Sequence, residues 1–327
     1  MDNYPISAHL LGLLFQLDGK QLQDQYKNHL SDFHDWDQKP HAEYWTVFPG
    51  NISPQLSIDE TSFSNGELYT IVTSKASKGK KGTILATIRG TKAEDIITVL
   101  ERIPLRLRNK VKEVTMDMAP NMAKAIRRCF RNARRVIDRF HVQKLAYDAV
   151  QELRIRYRWQ VLDEESKKIA QARKCGIPYD PGVLSNGDTL KQLLARSRYL
   201  LFKHPTRWTE SQKHRAELLF LRFPLLKKAH DLGIALGDIF QKCKDKKVAF
   251  TKLGLWHNQV EASGIASFES VARSIAAHHP YILHYFDNKS TNASAESFNA
   301  KLKAFRSIFR GVRDTQFFLY RVMKLYA

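Results

Sequence analysis

The apolar residues between positions 55 and 137 first repeat at strand spacing, then switch between helical and strand spacing. This change of period restricts the fold more than any other feature of the sequence. Residues 56–63 read as a strand, with Leu56, Ile58 and Phe63 as its apolar members. Ser64-Asn65-Gly66 follows, and Asn-Gly suits the positive φ of a two-residue hairpin turn. Residues 68–73 return as a second strand, a lysine-rich turn spans 75–82, and 83–88 form a third strand. The pattern then predicts helix 93–102, strand 111–118, helix 120–130 with Pro120 in its first turn, strand 134–137 and helix 143–154. Three antiparallel strands followed by parallel βα units make an α/β arrangement. Adjacency and crossover rules place the first strand centrally, beside the fourth.

That order matches a ribonuclease H-like mixed sheet. Residues 1–50 form an N-terminal helical and linker segment: a helix over 20–32, an acidic aromatic stretch (Phe33, Asp35, Trp36, Asp37), and a loop marked by Pro49, Gly50 and Pro54. The first part of the core is expected over 51–148. Residues 149–274 contain no strong strand signal and read as a basic α-helical insertion, with loop signals at 176–188 and Pro205. The core resumes over 275–327, where 292–326 reads as one or two helices joined near Gly311.

Charge narrows the partner. The 327 residues include 53 Lys and Arg against 33 Asp and Glu, a formal net charge of +20. Such a surface attracts polyanions: nucleic acid through counterion release, or an anionic membrane surface. No run of about 18 apolar residues occurs, so no transmembrane helix is expected. Residues 10–17 are apolar but short, broken by Gln16 and not preceded by Lys or Arg, which suits an amphipathic helix or a contact to another chain better than a signal peptide. Cys129, Cys175 and Cys243 are far apart and include no C-x-x-C pair, which fits a reducing, cytoplasmic setting and gives no start to a zinc site.

Three acidic residues stand out. Asp59 lies inside the first strand, where a carboxylate is costly unless paired or bound to metal. Asp117 ends the fourth strand after Val114-Thr-Met116. If the two strands are neighbours and parallel, the carboxylates project near each other, and a divalent cation relieves their repulsion. Hard oxygen ligands select Mg²⁺ or Mn²⁺. Glu296 sits near a helix start, where the dipole favours a carboxylate. On that helix Phe298, Leu302, Phe305, Phe309 and Val312 form one stripe, and Glu296 falls opposite, with Asn299, Lys303 and Arg310.

The blocks Ser57-Ile-Asp59-Glu-Thr61, Thr115-Met-Asp117-Met-Ala-Pro120, Val136-Ile-Asp-Arg-Phe-His-Val142 and Asn292-Ala-Ser-Ala-Glu296-Ser-Phe-Asn299-Ala-Lys301 resemble the signature blocks of DDE-type insertion-sequence transposases, in particular the ISL3 group and its Bacteroidetes-type members. Arg207-Trp208-Thr209 is also similar, and the resemblance covers roughly residues 30–327. It implies Asp59, Asp117 and Glu296 as catalytic residues holding two Mg²⁺ or Mn²⁺ ions. The implied reaction is metal-dependent cleavage at transposon ends and strand transfer into target DNA by in-line phosphoryl transfer. The implied partners are double-stranded DNA, both transposon ends and target, and a second copy of the chain, with a cytoplasmic, nucleoid-associated location and no membrane. Many relatives carry an N-terminal module that reads the terminal repeats. Only about 50 residues precede the core here, with no cysteine among them, so that module is expected on a separate chain or the copy is truncated. The alternatives are a transposase-derived DNA-binding or assembly protein without catalysis, and a structure-specific nuclease on the same fold.

Further residues are candidates for DNA contact: His141, Asn299, Lys301, Lys303, Arg306, Arg310, Arg139 and, beside them, Arg313 and the cluster Arg127, Arg128, Arg131, Arg134 and Arg135. His141 contacts the scissile phosphate or positions Asp117; equally, it simply starts a helix while Asp138 pairs with a nearby arginine. Trp208, Trp256 and Trp159 either stack on an exposed base, with Trp208 the first candidate, or pack between helices. The charge leads to a direct expectation. Duplex DNA binding should weaken by about ten- to a thousandfold between 50 and 200 mM salt in a fluorescence-anisotropy titration. A flat salt dependence would rule out phosphate neutralisation as the source of affinity.

Overall fold

The computed structural model describes residues 1–63, 66–309 and 314–327. The hairpin residues Ser64 and Asn65, together with Arg310, Gly311, Val312 and Arg313, lie outside the described residues. Six strands form one mixed sheet: β1 (Trp45–Val47), β2 (Gln55–Ser62), β3 (Leu68–Ser74), β4 (Ile84–Arg89), β5 (Glu113–Met116) and β6 (Arg134–Ile137). Their order is β1-β4-β3-β2-β5-β6. The strand over 56–63 is thus β2, and it does lie beside the strand ending at Met116. The three-residue edge strand β1 pairs antiparallel with β4 and is missing from the sequence expectation, because a period of two cannot be recognised over three residues.

The helices in chain order are α1 (Ala8–Phe15), α2 (Gly19–Gln25), α3 (Ala93–Leu100), α4 (Leu105–Arg108), α5 (Pro120–Cys129), α6 (Arg139–Lys174), α7 (Leu190–Arg196), α8 (Glu210–Arg222), α9 (Pro224–Lys242), α10 (Lys246–Ser263), α11 (Ala266–Leu283), α12 (Tyr285–Asn288), α13 (Ala293–Ile308) and α14 (Thr315–Tyr326). Among the described residues no helix is long and apolar enough to cross a membrane. The chain is divided into two compact units, 1–138 with 289–327, and 139–288. These limits differ from the expected 148/149 and 274/275. α6 is one continuous helix of 36 residues with no glycine or proline inside it, so its whole length belongs to the helical unit. Its apolar periodicity fades after Leu153, which is why the sequence pattern stops near 154.

In the first unit the sheet carries a core on each face. Leu56, Ile58, Val114 and Met116 pack with Ile96 and Val99 of α3 and Met122 and Ile126 of α5. On the other face Tyr69, Ile71 and Ile84 pack with Phe298, Leu302, Phe305 and Phe309 and with Phe317, Phe318 and Val322 of α14. The apolar stripe of α13 therefore faces the sheet, as its spacing requires. Tyr26 and Phe33 join this second core, so the N-terminal segment is part of the unit and not a linker. In the helical unit, buried Trp256 donates its indole N–H to the Leu232 carbonyl at 2.9 Å, and buried Asp188 pairs with Arg215 at 3.1 Å and with Arg196.

Arg321 of α14 is fully buried and ties the N-terminal segment down. Its Nη2 donates to the carbonyls of Met1 and Ile6 at 2.8 and 3.2 Å, and its guanidinium lies over the Tyr26 and Phe305 rings. Arg321→Met keeps the volume but leaves these carbonyls without a donor. It should cost about 3 kcal/mol in urea unfolding and make residues 1–30 the first site of limited proteolysis. Unchanged stability would remove Arg321 from this role.

Candidate active site

The site is built by register. β2 and β5 are parallel, with Gln55 opposite Glu113, Leu56 opposite Val114 and Ser57 opposite Thr115. Continuing that register two residues sets Asp59 level with Asp117. β5 and β6 are also parallel, with Met116 opposite Ile137, and the Asp138 amide donates to the Met116 carbonyl at 2.9 Å, so the pairing runs on. Asp138 is then level with Asp117. Asp59, within β2, thus stands level with Asp117 and Asp138, which directly follow the last residues of the adjacent parallel strands β5 and β6. Side chains alternate across a strand, so Leu56, Ile58, Val114 and Met116 enter the α3–α5 core and the aspartates belong to the opposite face, that of α13. Asp59 and Asp117 are half-buried and Asp138 is fully buried.

Hydrogen bonds orient the carboxylates. Asp59 Oδ1 accepts from the Glu60 amide at 2.9 Å and Oδ2 accepts from Asn299 Nδ2 at 2.8 Å. Asp117 Oδ1 accepts from the Ala119 amide at 2.8 Å, at the entry to α5. Burial, and then the neighbouring Asp117 carboxylate, push the Glu60 carboxyl above the usual range. α13 is pinned to β2 at two points. Asn292, just before the helix, reaches the Ile58 carbonyl at 3.4 Å, and Asn299 binds Asp59. Glu296 lies four residues after Asn292 and three before Asn299, on the same side of the helix, and its amide donates to the Asn292 carbonyl at 2.8 Å. It is exposed. Among the described residues no three His, Cys, Asp or Glu side chains converge closely enough to hold a metal ion as they stand.

A family model described as a transposase, of the DDE type and ISL3 group, matches residues 56–322. The chain belongs to the ISL3 family of DDE transposases. Comparison with curated proteins gives no match. The matched span begins at the first residue of β2 that enters the core and ends within α14, so it contains all three acidic candidates.

The other candidate residues of the transposase fall into distinct settings. Lys301 and Lys303 are exposed on α13 beside the acidic face. Arg306 is not on a cationic surface. It is buried, 3.4 Å from Glu67 and over the Phe318 ring, because position 306 neighbours Phe305 and Leu302 on the packed side. Asn299 is likewise buried and spends its amide on Asp59, which makes it an orienting group and corrects its expected place on an open face. Arg139 and His141 lie in the first turn of α6, in the helical unit, and both are half-buried; the Arg139 guanidinium covers the Phe140 ring. Trp208 packs on His230 and donates its indole N–H to the Leu200 carbonyl at 3.0 Å, a helix-packing role; the exposed tryptophan of that unit is Trp159. Arg127, Arg128 and Arg131 line a groove with Lys124, Ile97 and Thr98 on the α3–α5 face, opposite the aspartates. Arg310 and Arg313 lie outside the described residues.

Sequence reasoning passed over Lys75, Glu113 and Glu60. Glu60 adjoins Asp59, Glu113 adjoins the core residue Val114 and Lys75 opens the lysine-rich turn, but burial, which gives them meaning, has no signal in the sequence. The bond between Asn299 and Asp59 is the most exposed to test. Asn299→Ala should destabilise the transposase by about 1 kcal/mol, and Asn299→Asp by more, since it sets a second carboxylate against Asp59. Urea unfolding in chelator measures both, and equal effects would show that the bond does not depend on Asp59 charge.

Proposed function

We propose that this transposase cuts DNA at transposon ends and joins them to target DNA at a site formed by Asp59, Asp117 and Glu296, on a ribonuclease H-like core. The observation that carries this reading is the level row of aspartates, Asp59 within β2 and Asp117 and Asp138 just past the ends of β5 and β6. Three antiparallel strands followed by two parallel ones, with the first beside the fourth of that series, support the fold assignment. The donor set suits a hard divalent ion. Asp59 and Asp117 each accept hydrogen bonds, yet every carboxylate oxygen has a second lone pair, and Glu296 stands on the side of α13 that is pinned to β2. Asp59, Asp117 and Glu296 would hold two Mg²⁺ or Mn²⁺ ions, which activate the attacking oxygen and stabilise the leaving one.

The chain's own residues do the rest. Asn299 keeps Asp59 in one orientation. Lys301 and Lys303 bind backbone phosphates at the rim. Water adds to the scissile phosphorus as the bond to the 3′ oxygen breaks, freeing a 3′-hydroxyl. That oxygen then attacks a target phosphodiester and displaces its 3′ oxygen, so one strand is joined and no bond to the protein forms. Joining two ends calls for two such sites, and so for a dimer or larger assembly.

A second reading is a transposase-derived protein that binds DNA without cutting it. Its support is the exposure of Glu296 and the lack of a converged three-carboxylate group among the described residues. One assay separates the two. With DNA carrying a transposon end and Mn²⁺, the chain should nick and join strands, and Asp59→Asn, Asp117→Asn and Glu296→Gln should each reduce the rate by at least about a thousandfold with DNA affinity kept. Activity retained in all three variants sinks the site. Binding without products from the unmodified chain favours the second reading.

A further inference from the structure

Lys75 is a buried cation that the chemistry above does not use. It follows β3, in a 3₁₀ turn over Lys75–Ser77, and its side chain is only 12% exposed. Its ammonium donates to Thr115 Oγ1 and Ser290 Oγ and lies 4.0 Å from Glu113 Oε1. Thr115 precedes Asp117 by two residues on β5 and shares its face, and Glu113 precedes Thr115 by two in the same way. The ammonium therefore sits beneath the aspartate row, and Asp138 is close enough to act on it electrostatically. Burial lowers the affinity of Lys75 for its proton, while Glu113 and Asp138 raise it. A long, strongly hydrated side chain is costly to bury, so a lysine kept there needs compensating negative charge and hydroxyl acceptors, and both are present.

Ser290 gives the contact a second consequence. It lies three residues before α13, in the segment that leads to Glu296. Lys75 to Ser290, Asn292 to the Ile58 carbonyl, and Asn299 to Asp59 form successive ties between this stretch and the sheet. The turn itself runs close to α13. Gly79 has φ +76, and a Cβ there would meet Lys301 Nζ at 3.2 Å.

We propose that Lys75 is a positioning residue for the acidic site: its ammonium offsets the negative charge gathered along the parallel strands β2, β5 and β6 and ties the segment bearing Glu296 to β5. The inference rests on the assignment of Asp59, Asp117 and Glu296 to the chemistry, but its main tests do not use catalysis. The first is a charge cycle on the full chain in EDTA. Lys75→Met should lower Tm by about 5 °C or more, and Lys75→Met with Glu113→Gln should recover at least half of that loss, because the buried negative charge is removed with its partner. A loss that the second substitution does not relieve overturns the charge role. The second test is hydrogen exchange. In Lys75→Met, amides over 290–299 should exchange faster while those of β5 do not change, and Lys75→Arg, which keeps the charge, should show a smaller effect. Unchanged exchange over 290–299 overturns the tie. If Lys75→Met alone fails to fold, the double variant and Lys75→Arg supply the same comparisons. Strand cleavage gives the third readout. Lys75→Met should lower kcat by about ten- to a hundredfold with KM for DNA within about twofold, and cleavage at the unmodified rate overturns the proposal. Failure of the functional assignment appears elsewhere, as cleavage that survives Asp59→Asn, so the two failures are distinct.

Discussion

The parallel pairing of β2 with β5 is the constraint on which the rest depends. It gathers apolar and acidic residues in a single register: Leu56 and Ile58 with Val114 and Met116 on one face, Asp59 with Asp117 on the other. A slip of one residue would send the aspartates into the α3–α5 core and the apolar side chains toward α13. The hydrophobic face thus holds the carboxylates in place, although carboxylates side by side repel each other. Burying Leu56, Ile58, Val114 and Met116 completely contributes on the order of 2 kcal/mol for each side chain, enough to outweigh repulsion between half-exposed acids.

The acidic face is then completed from a distant part of the sequence. α13 follows the whole helical unit in the chain, yet it returns to the sheet, to β3 and β4 through its apolar stripe and to β2 through Asn292 and Asn299. Its aromatic side chains supply the adhesion and the two asparagines supply the direction. A long insertion between strands and helix costs little in closure entropy, which grows only slowly with loop length. The sheet-bearing unit can therefore accommodate 139–288 between its last strand and its final helices.

Much of this was legible in advance, and the gaps have physical causes. Five of the six strands and the helices that cover them follow from hydrophobic period, proline position and turn residues, because those signals are local. Trp45–Val47 is too short to show a period. α6 continues well past Leu153 because nothing in its sequence breaks a helix, even where no apolar stripe remains. A helical wheel of α13 separates Phe298 from Glu296 correctly but cannot tell a cation on the rim from one beneath a neighbour. Lys301 and Lys303 are exposed, while Arg306, on the same helix, is covered by Phe318 and faces Glu67. Trp208 has the same history: its ring is of the kind that stacks on bases, and its neighbours His230 and Leu200 have already engaged it.

The sequence alone determined the alternation of elements, the basic character of the chain, its membership of the ISL3 family and the choice of three acidic candidates. These depend on residue type and spacing along one dimension. Only the tertiary structure decided that Asp138 joins Asp59 and Asp117 in one level row, that Asn299 serves Asp59, and that Lys75 lies under the acids. Each of those facts is a meeting of residues from different strands or helices. Burial and register create such meetings, and neither is written in any local stretch of the chain.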